Sequence, residues 1–258
     1  MEHIYQHFRK EEQPFIEQVV GWQREVEERY YPKRTDFLNP RERFIVRAII
    51  QQTESNVYSD GGFEQAERKR MLLYPPYYEA SMEDLGVQLF RVEYAMKFAT
   101  LTHPQVLGSL LANGLVRSRF GDIRIKGQEI QLAVAEEIAD YIQMQLIQMN
   151  KTKVQLQPIS HKEAIPQDIT AWQIQVITVS AMRLDAILAT ILKLSRQKAQ
   201  QLIQAGRVQV NFTVRDDRSF EIQEQDLLSI RQYGRYKIVA IEGTTRKDKI
   251  RLQVGFMA

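Results

Sequence analysis

An α+β architecture in three modules is predicted for this 258-residue chain, on three observations. Residues 71–158 alternate strand-like and helix-like runs, the pattern of a ferredoxin-like or RNA-recognition-like α/β domain. Ahead of them, residues 11–50 carry two apolar stripes at helical spacing. Behind them, residues 183–258 read as a pair of helices followed by strands, with a charge balance opposite to that of the rest of the chain. The expected division is an N-terminal helical and mixed module at 1–75, a central ferredoxin-like α/β domain at 76–158 whose first strand starts near 71, a linker and lead-in strand at 159–181, and a basic domain at 182–258.

The first helix is predicted over 11–30, where Phe15, Val19, Trp22, Val26 and Tyr30 step by three or four. Glu17, Glu25, Glu27 and Glu28 fall on the opposite, solvated face. Pro32 closes the segment, because the residue before a proline disfavours the helical region. A second helix starts at Asn39-Pro40 with proline in the first helical position. Phe44, Ala48 and Ile49 are expected inside it, with Arg41, Arg43 and Arg47 on the surface. Next, Gly61 and Gly62 form a turn followed by Arg68, Lys69 and Arg70, a combination able to hold a phosphate.

In the central segment, strands are predicted at 71–74, 87–94, 121–126, 129–134 and 153–158. Helices are predicted at 103–113, with Thr102 as cap and Pro104 in the first turn, and at 135–148. Arg117, Arg119 and Arg124 flank the turn at Gly121-Asp122 and are candidate backbone contacts. The polar run 161–168 reads as a loop broken by Pro166, and Trp172 to Val179 as an extended lead-in.

The basic domain begins at Arg183. Leu184, Ile187, Leu188 and Ile191 share one helical face. Ser195 suits an N-cap; Ala199, Leu202 and Ile203 line the next helix, and Gly206 ends it. From Arg183 to Arg215 there are six Lys/Arg and one acid, Asp185. Residues 183–258 hold 14 Lys/Arg against 8 Asp/Glu, a balance of +6, which leaves −3 for the remainder of a chain whose total is +3. A helix pair that buries its leucines and leaves cations unpaired faces an anion, and a phosphate backbone fits. Strands are predicted at Leu227 to Tyr233, Tyr236 to Ile241 and Lys249 to Val254.

Composition removes several chemistries. With no cysteine there is no disulfide, thiolate catalysis or cysteine-held zinc. No apolar run approaches the roughly 20 residues of a membrane span, and the first residues lack the apolar core of a secretory signal, so a cytoplasmic location is expected. No GxxxxGK[ST] or G-x-S-x-G occurs. His3 and His7 are spaced for a shared metal, but chance spacing near a terminus is the simpler reading. No catalytic residue, metal or cofactor is expected.

RLD at 183–185, LSRQKAQQLIQAGRVQVN at 194–211 and QYGRYK at 232–237 resemble the αL-type RNA-binding domain of ribosomal protein S-four. Ahead of them, in order, stand DFLNPRE at 36–42, SDGGFEQAERKRMLLYP at 59–75, LTHPQVLGSLLANG at 101–114, GDIRI at 121–125 and VAEEIADYI at 134–142. That arrangement resembles the YlmH family over nearly the whole length. The resemblance implies a non-catalytic RNA-binding protein associated with the large ribosomal subunit and peptidyl-tRNA. Ribosome quality control and a link to cell division also come with it. RNA modification by a uridine-isomerising or methyl-transferring enzyme, and a protein-interaction adaptor, are the alternatives. The expected partners are rRNA, tRNA and the large subunit, with the protein a monomer. The expected RNA-binding set is Arg183, Lys193, Ser195, Arg196, Lys198, Gln201, Arg207, Asn211, Arg231, Tyr233, Arg235 and Lys237. Secondary contacts are expected from Gly61, Gly62, Arg68, Lys69, Arg70, Arg117, Arg119 and Arg124.

Overall fold

The computed structural model describes residues 8–166 and 172–256. The chain divides into two compact units, Met1–Gln167 and Asp168–Ala258.

The first unit opens with helix α1 (Gln13–Arg29), strand β1 (Lys33–Arg34), helix α2 (Pro40–Ile50) and strands β2 (Asn56–Asp60) and β3 (Arg70–Tyr74). The strands pair antiparallel in the order β1-β3-β2. Asn39 caps α2 as predicted, its Oδ1 accepting from the backbone of Arg41 and Glu42, with Pro40 in the first turn. The buried face is shifted by a residue from the expected one. Ile45, Val46, Ile49 and Ile50 pack on Ile16, Val19 and Val26 of α1, while Phe44 stands in solvent. Tyr30, expected inside, is the left-handed cap (φ 52°) that ends α1 and points outward.

Strand β4 (Val87–Tyr94), helix α3 (His103–Ala112), strands β5 (Phe120–Lys126) and β6 (Glu129–Ala135), helix α4 (Ala139–Gln145), strand β7 (Gln148–Met149) and strand β8 (Thr152–Ile159) follow. Their antiparallel sheet has the order β5-β6-β4-β8-β7. Without the short β7, this is the βαββαβ arrangement of a ferredoxin-like domain, as predicted, except that the strand expected to open it near residue 71 is β3 of the three-stranded sheet. The helix expected over 135–148 is shorter, because Glu136–Ile138 form a 3-10 turn and the chain re-enters the sheet at Gln148. Val106, Leu110 and Ile142 from the helices pack on Phe90, Phe120, Leu132 and Leu156 from the strands. Phe37 and Phe63, from before β3, pack with Leu89, Ala133 and Ile159 of the five-stranded sheet. That cluster welds the helical module to the α/β domain.

The second unit starts with strand β9 (Gln173–Val179), then helices α5 (Leu184–Ile191) and α6 (Arg196–Gln204), and strands β10 (Val208–Val210), β11 (Thr213–Val214), β12 (Leu227–Ile230), β13 (Gly234–Thr244) and β14 (Ile250–Phe256). They form one antiparallel sheet in the order β11-β10-β12-β13-β14-β9. The lead-in strand is therefore a sheet edge, paired along its length with β14. Strand β12 stops at Ile230 rather than Tyr233, because Gln232 (φ 75°) and Gly234 (φ 90°) turn the chain.

Candidate nucleic-acid interface

The apolar stripes of α5 and α6 meet in a core of Leu184, Ile187, Leu188, Ile191, Ala199 and Ile203. Lys193 takes a left-handed conformation (φ 53°) between the helices. Ser195 then caps α6, its Oγ accepting from Lys198 N at 3.3 Å. Gly206 (φ 65°) closes the helix, its N–H donating to Ile203 O at 3.0 Å while Arg207 N donates to Leu202 O at 3.1 Å. Both ends of α6 are thus set by the residues the sequence offered for them.

These two ends fix the groove. Arg231 N donates to Arg207 O at 2.9 Å, drawing the β12–β13 turn against the end of α6. Tyr233, at the tip of that turn and 42% exposed, stands beside α6. A groove of about 410 Å³ results, walled by Lys198, Gln201, Arg207 and Tyr233 over Leu202 and Ala205. Leu202 is accordingly only partly buried, whereas Ile203 is wholly so. Among the described residues, neither Lys198 nor Arg207 has a carboxylate partner. The groove therefore presents two uncompensated cations, an amide and an aromatic face.

The remaining predicted residues of this unit behave differently from one another. Lys193 and Arg231 are exposed outside the groove, and Lys237 lies partly buried on β13 opposite Leu227. The guanidinium of Arg235 sits 5.9 Å from the ring centre of Phe212.

Two expectations are corrected. The cationic face is not free of acid. Asp185, with its side chain fully buried, accepts from Arg183 at 3.2 Å through each of two nitrogens and from Arg196 Nε at 2.9 Å. Gln200 Nε2 adds a bond at 2.9 Å. Burial works to raise this carboxyl, but the hydrogen bonds from Arg196, Gln200 and Arg183 hold it far below the usual carboxylate range. Two guanidiniums over one carboxylate leave an excess positive charge, and they remain 40% and 52% exposed. Asn211 is engaged within the chain: its Nδ2 donates to Asp226 at 2.7 Å and its Oδ1 accepts from Leu227 N at 3.0 Å. It is a turn residue (φ 49°).

Most of the secondary contacts expected in the first unit are engaged within the protein itself. A Cβ on Gly61 would lie 2.4 Å from Arg68 O, and one on Gly62 (φ 83°) 2.7 Å from Leu89 Cδ2, so the close approach these glycines allow is by the protein's own chain. Arg68 is buried and donates to Phe37 O at 2.8 Å. Lys69 is partly buried and pairs with Leu38 through its backbone. Arg70, buried, donates to Thr35 O and Gly86 O and grips both oxygens of Glu137 at 2.9 Å. Arg117 stacks at 5.0 Å on Phe120 and donates to Gly121 O, and burial pulls its pKa down to about 10. Arg119 pairs with Asp36 at 3.1 Å. Arg124 covers Phe63 at 4.7 Å and donates to Ile165 O and Glu64 O. Asp122 accepts from the backbone of Glu67 and Arg68. The sequence signal for these residues is a glycine turn, a family motif and charge, and all three are the same for an RNA contact and for a staple between segments.

His3 and His7 lie outside the described residues. No helix among the described residues is long and apolar enough to cross a membrane.

Comparison with known proteins follows the same division. Residues 11–78 match the family model of the YlmH N-terminal region, 80–163 that of the RNA-binding domain in YlmH, and 182–228 that of the S4 domain. A ribosome-associated protein quality control protein P2 from Bacillus subtilis (strain 168) is 42% identical over 254 residues, covering 98% of each chain. A solved structure of the cell division protein ylmH from Streptococcus pneumoniae is 29% identical with a TM-score of 0.55, over 62% of this chain and 97% of that one. With the three regions present in order and a relative of this identity along its whole length, the chain carries RNA-binding domains and belongs to the YlmH family.

Proposed function

We propose that this is a non-catalytic RNA-binding protein acting in the cytoplasm in ribosome-associated quality control. Its basic helix pair docks on structured rRNA of the large ribosomal subunit beside peptidyl-tRNA. The observation that carries this reading is the groove between α6 and the β12–β13 turn, where Lys198 and Arg207 keep their charge uncompensated. Duplex RNA hides its base edges in a deep, narrow groove, so a rigid cationic surface suits it better than a base-reading one. Lys198 and Arg207 grip phosphates, Gln201 meets a 2′-hydroxyl, and Tyr233 supplies a face for an unstacked base. Arg183 and Arg196, held by Asp185 and still half exposed, lie outside the wall of this groove and offer the RNA a separate cationic patch.

The test is sedimentation of the protein with large subunits, with and without bound peptidyl-tRNA, across a salt series. Lys198→Ala/Arg207→Ala removes two phosphate contacts, so affinity falls and the log–log salt slope drops by roughly 1.4 to 1.8. Unchanged affinity and slope would move the interface elsewhere. Turnover of rRNA fragments by isomerisation or methyl transfer would overturn the non-catalytic reading.

A further inference from the structure

The first unit carries a cluster of tyrosines that the RNA reading leaves unused. RYYPKR at 29–34 ends α1, and YPPYY at 74–78 follows β3. The fold brings the two segments together: the Tyr77 hydroxyl donates to Tyr30 O, and the Tyr74 and Tyr78 rings lie 6.0 Å apart. Tyr30, Tyr31 and Tyr77 are 70%, 73% and 64% exposed. Large aromatic area left in solvent as a contiguous group marks an interaction surface, and tyrosine is a frequent anchor in interfaces. The backbone that carries these rings is also restrained. Tyr30 sits in the left-handed region, Pro32, Pro75 and Pro76 stiffen both segments, and Tyr78 is pinned to Asp84 at 2.7 Å. Little conformational freedom remains to be lost on binding.

The charge around the shelf selects the partner. Residues 25–34 and 74–84 hold six acids (Glu25, Glu27, Glu28, Glu79, Glu83, Asp84) against three cations (Arg29, Lys33, Arg34). All three cations are already paired, Arg29 and Lys33 with Glu25 and Arg34 with Glu137. Glu28, Glu79 and Glu83 are exposed. An aromatic shelf carried on segments with this excess of carboxylates repels a phosphate backbone and attracts cationic side chains, which rest on ring faces while their charge meets the nearby acids.

We propose that the Tyr30–Tyr31–Tyr77 shelf docks an arginine- or lysine-rich segment of another polypeptide. It is a second surface, opposite in sign to the groove of the basic unit, and it holds a protein where the groove holds RNA.

The experiment uses the full chain and a fluorescently labelled short peptide of alternating arginine and glycine, followed by anisotropy. Tyr31→Ser/Tyr77→Ser changes no charge and is expected to weaken binding about tenfold, with Tyr31→Ser alone giving about threefold. Glu79→Gln/Glu83→Gln is expected to weaken it comparably, while Lys198→Ala/Arg207→Ala leaves it unchanged, which separates this idea from the RNA reading. Circular dichroism checks that each variant is folded. Peptide affinity indifferent to the tyrosines overturns the proposal. So does an unpaired oligouridine that displaces the peptide from both the wild type and the groove variant, making RNA the occupant. Tyrosine-dependent dimerisation in sedimentation would also overturn it, since the shelf would then serve a second copy.

Discussion

Arg196 Nε lies 2.9 Å from the buried carboxylate of Asp185, eleven residues earlier on the preceding helix. With a second bond from the same guanidinium at 3.3 Å and one from Gln200 at 2.9 Å, this carboxylate ties the two helices of the basic unit together, and Arg183 takes its other flank. Asp185→Asn is expected to cost about 1–2 kcal/mol, since the amide keeps an acceptor for Gln200 but loses both charge-assisted pairs. The folded-state pKa of Asp185 is depressed, so its contribution is complete above the unfolded aspartate value of about 3.9 and is lost as pH falls further. The gap between wild type and variant in denaturant unfolding should therefore be full at pH 7 and close in strong acid.

Glu137 behaves similarly in the first unit. Burial alone would raise it, but hydrogen bonds from Arg70 and its own backbone, with the charges of Arg70 and Arg34, bring it down to about 2. Its stabilisation is present above the unfolded glutamate value of about 4.3 and fades towards pH 2. Glu137→Gln should lower the unfolding midpoint at neutral pH, and the difference from wild type should shrink across that window. A gap that stays constant to pH 2 would show that the charge on Glu137 contributes nothing beyond its hydrogen bonds.

Gly62 carries a φ of 83°, and a Cβ added there would meet Leu89 at 2.7 Å and Val87 at 2.9 Å. Gly62→Ala is expected to destabilise the first unit by about 1–3 kcal/mol from backbone strain, with repacking of Leu89 adding to it. RNA affinity at the groove should be unaltered in the folded fraction, which a phosphate-binding role for Gly61-Gly62 would not allow.

Neighbouring residues on α6 should separate core from groove. Ile203 is fully buried, so Ile203→Ala should cost about 2–5 kcal/mol. Leu202 is partly exposed to the groove, and Leu202→Ala should cost less while changing the groove's floor. Thermal unfolding of the two variants side by side checks this ordering.

Tyr233→Ala should weaken RNA binding by about 1–3 kcal/mol if its ring stacks on a base, and Tyr233→Phe should restore most of it. A phenylalanine as weak as alanine would assign the contribution to the hydroxyl.

The parts of this fold that show in the sequence are those set locally. Asn39, Ser195 and Gly206 are cap residues whose side chain or φ does the same work in any surroundings. The βαββαβ order of the central domain follows from the spacing of apolar runs, because helix and strand differ in period. Long-range pairing is what stays hidden. Asp185 was visible as a single acid among cations, yet its contact with Arg196 needs the turn between helices to be built first. Arg68, Arg70, Arg117 and Arg124 carried the charge expected of an RNA surface and proved to be internal, since nothing local distinguishes a guanidinium aimed at phosphate from one aimed at a carbonyl sixty residues away. The groove shows the converse. Lys198, Gln201, Arg207 and Tyr233 were named from motif and charge, but gathering them needs the long-range pairing of β10 with β12 and the Arg231–Arg207 backbone bond that continues it.

The grip of Arg70 on Thr35, Gly86 and Glu137 spans the boundary between the two family regions at residues 78–80. A chain cut at that boundary would strand a buried guanidinium on one fragment and its carboxylate on the other. Neither piece is therefore a free-standing cassette that can be lent to another protein by itself. The front two-thirds of the molecule must be made, inherited and moved as a single handle.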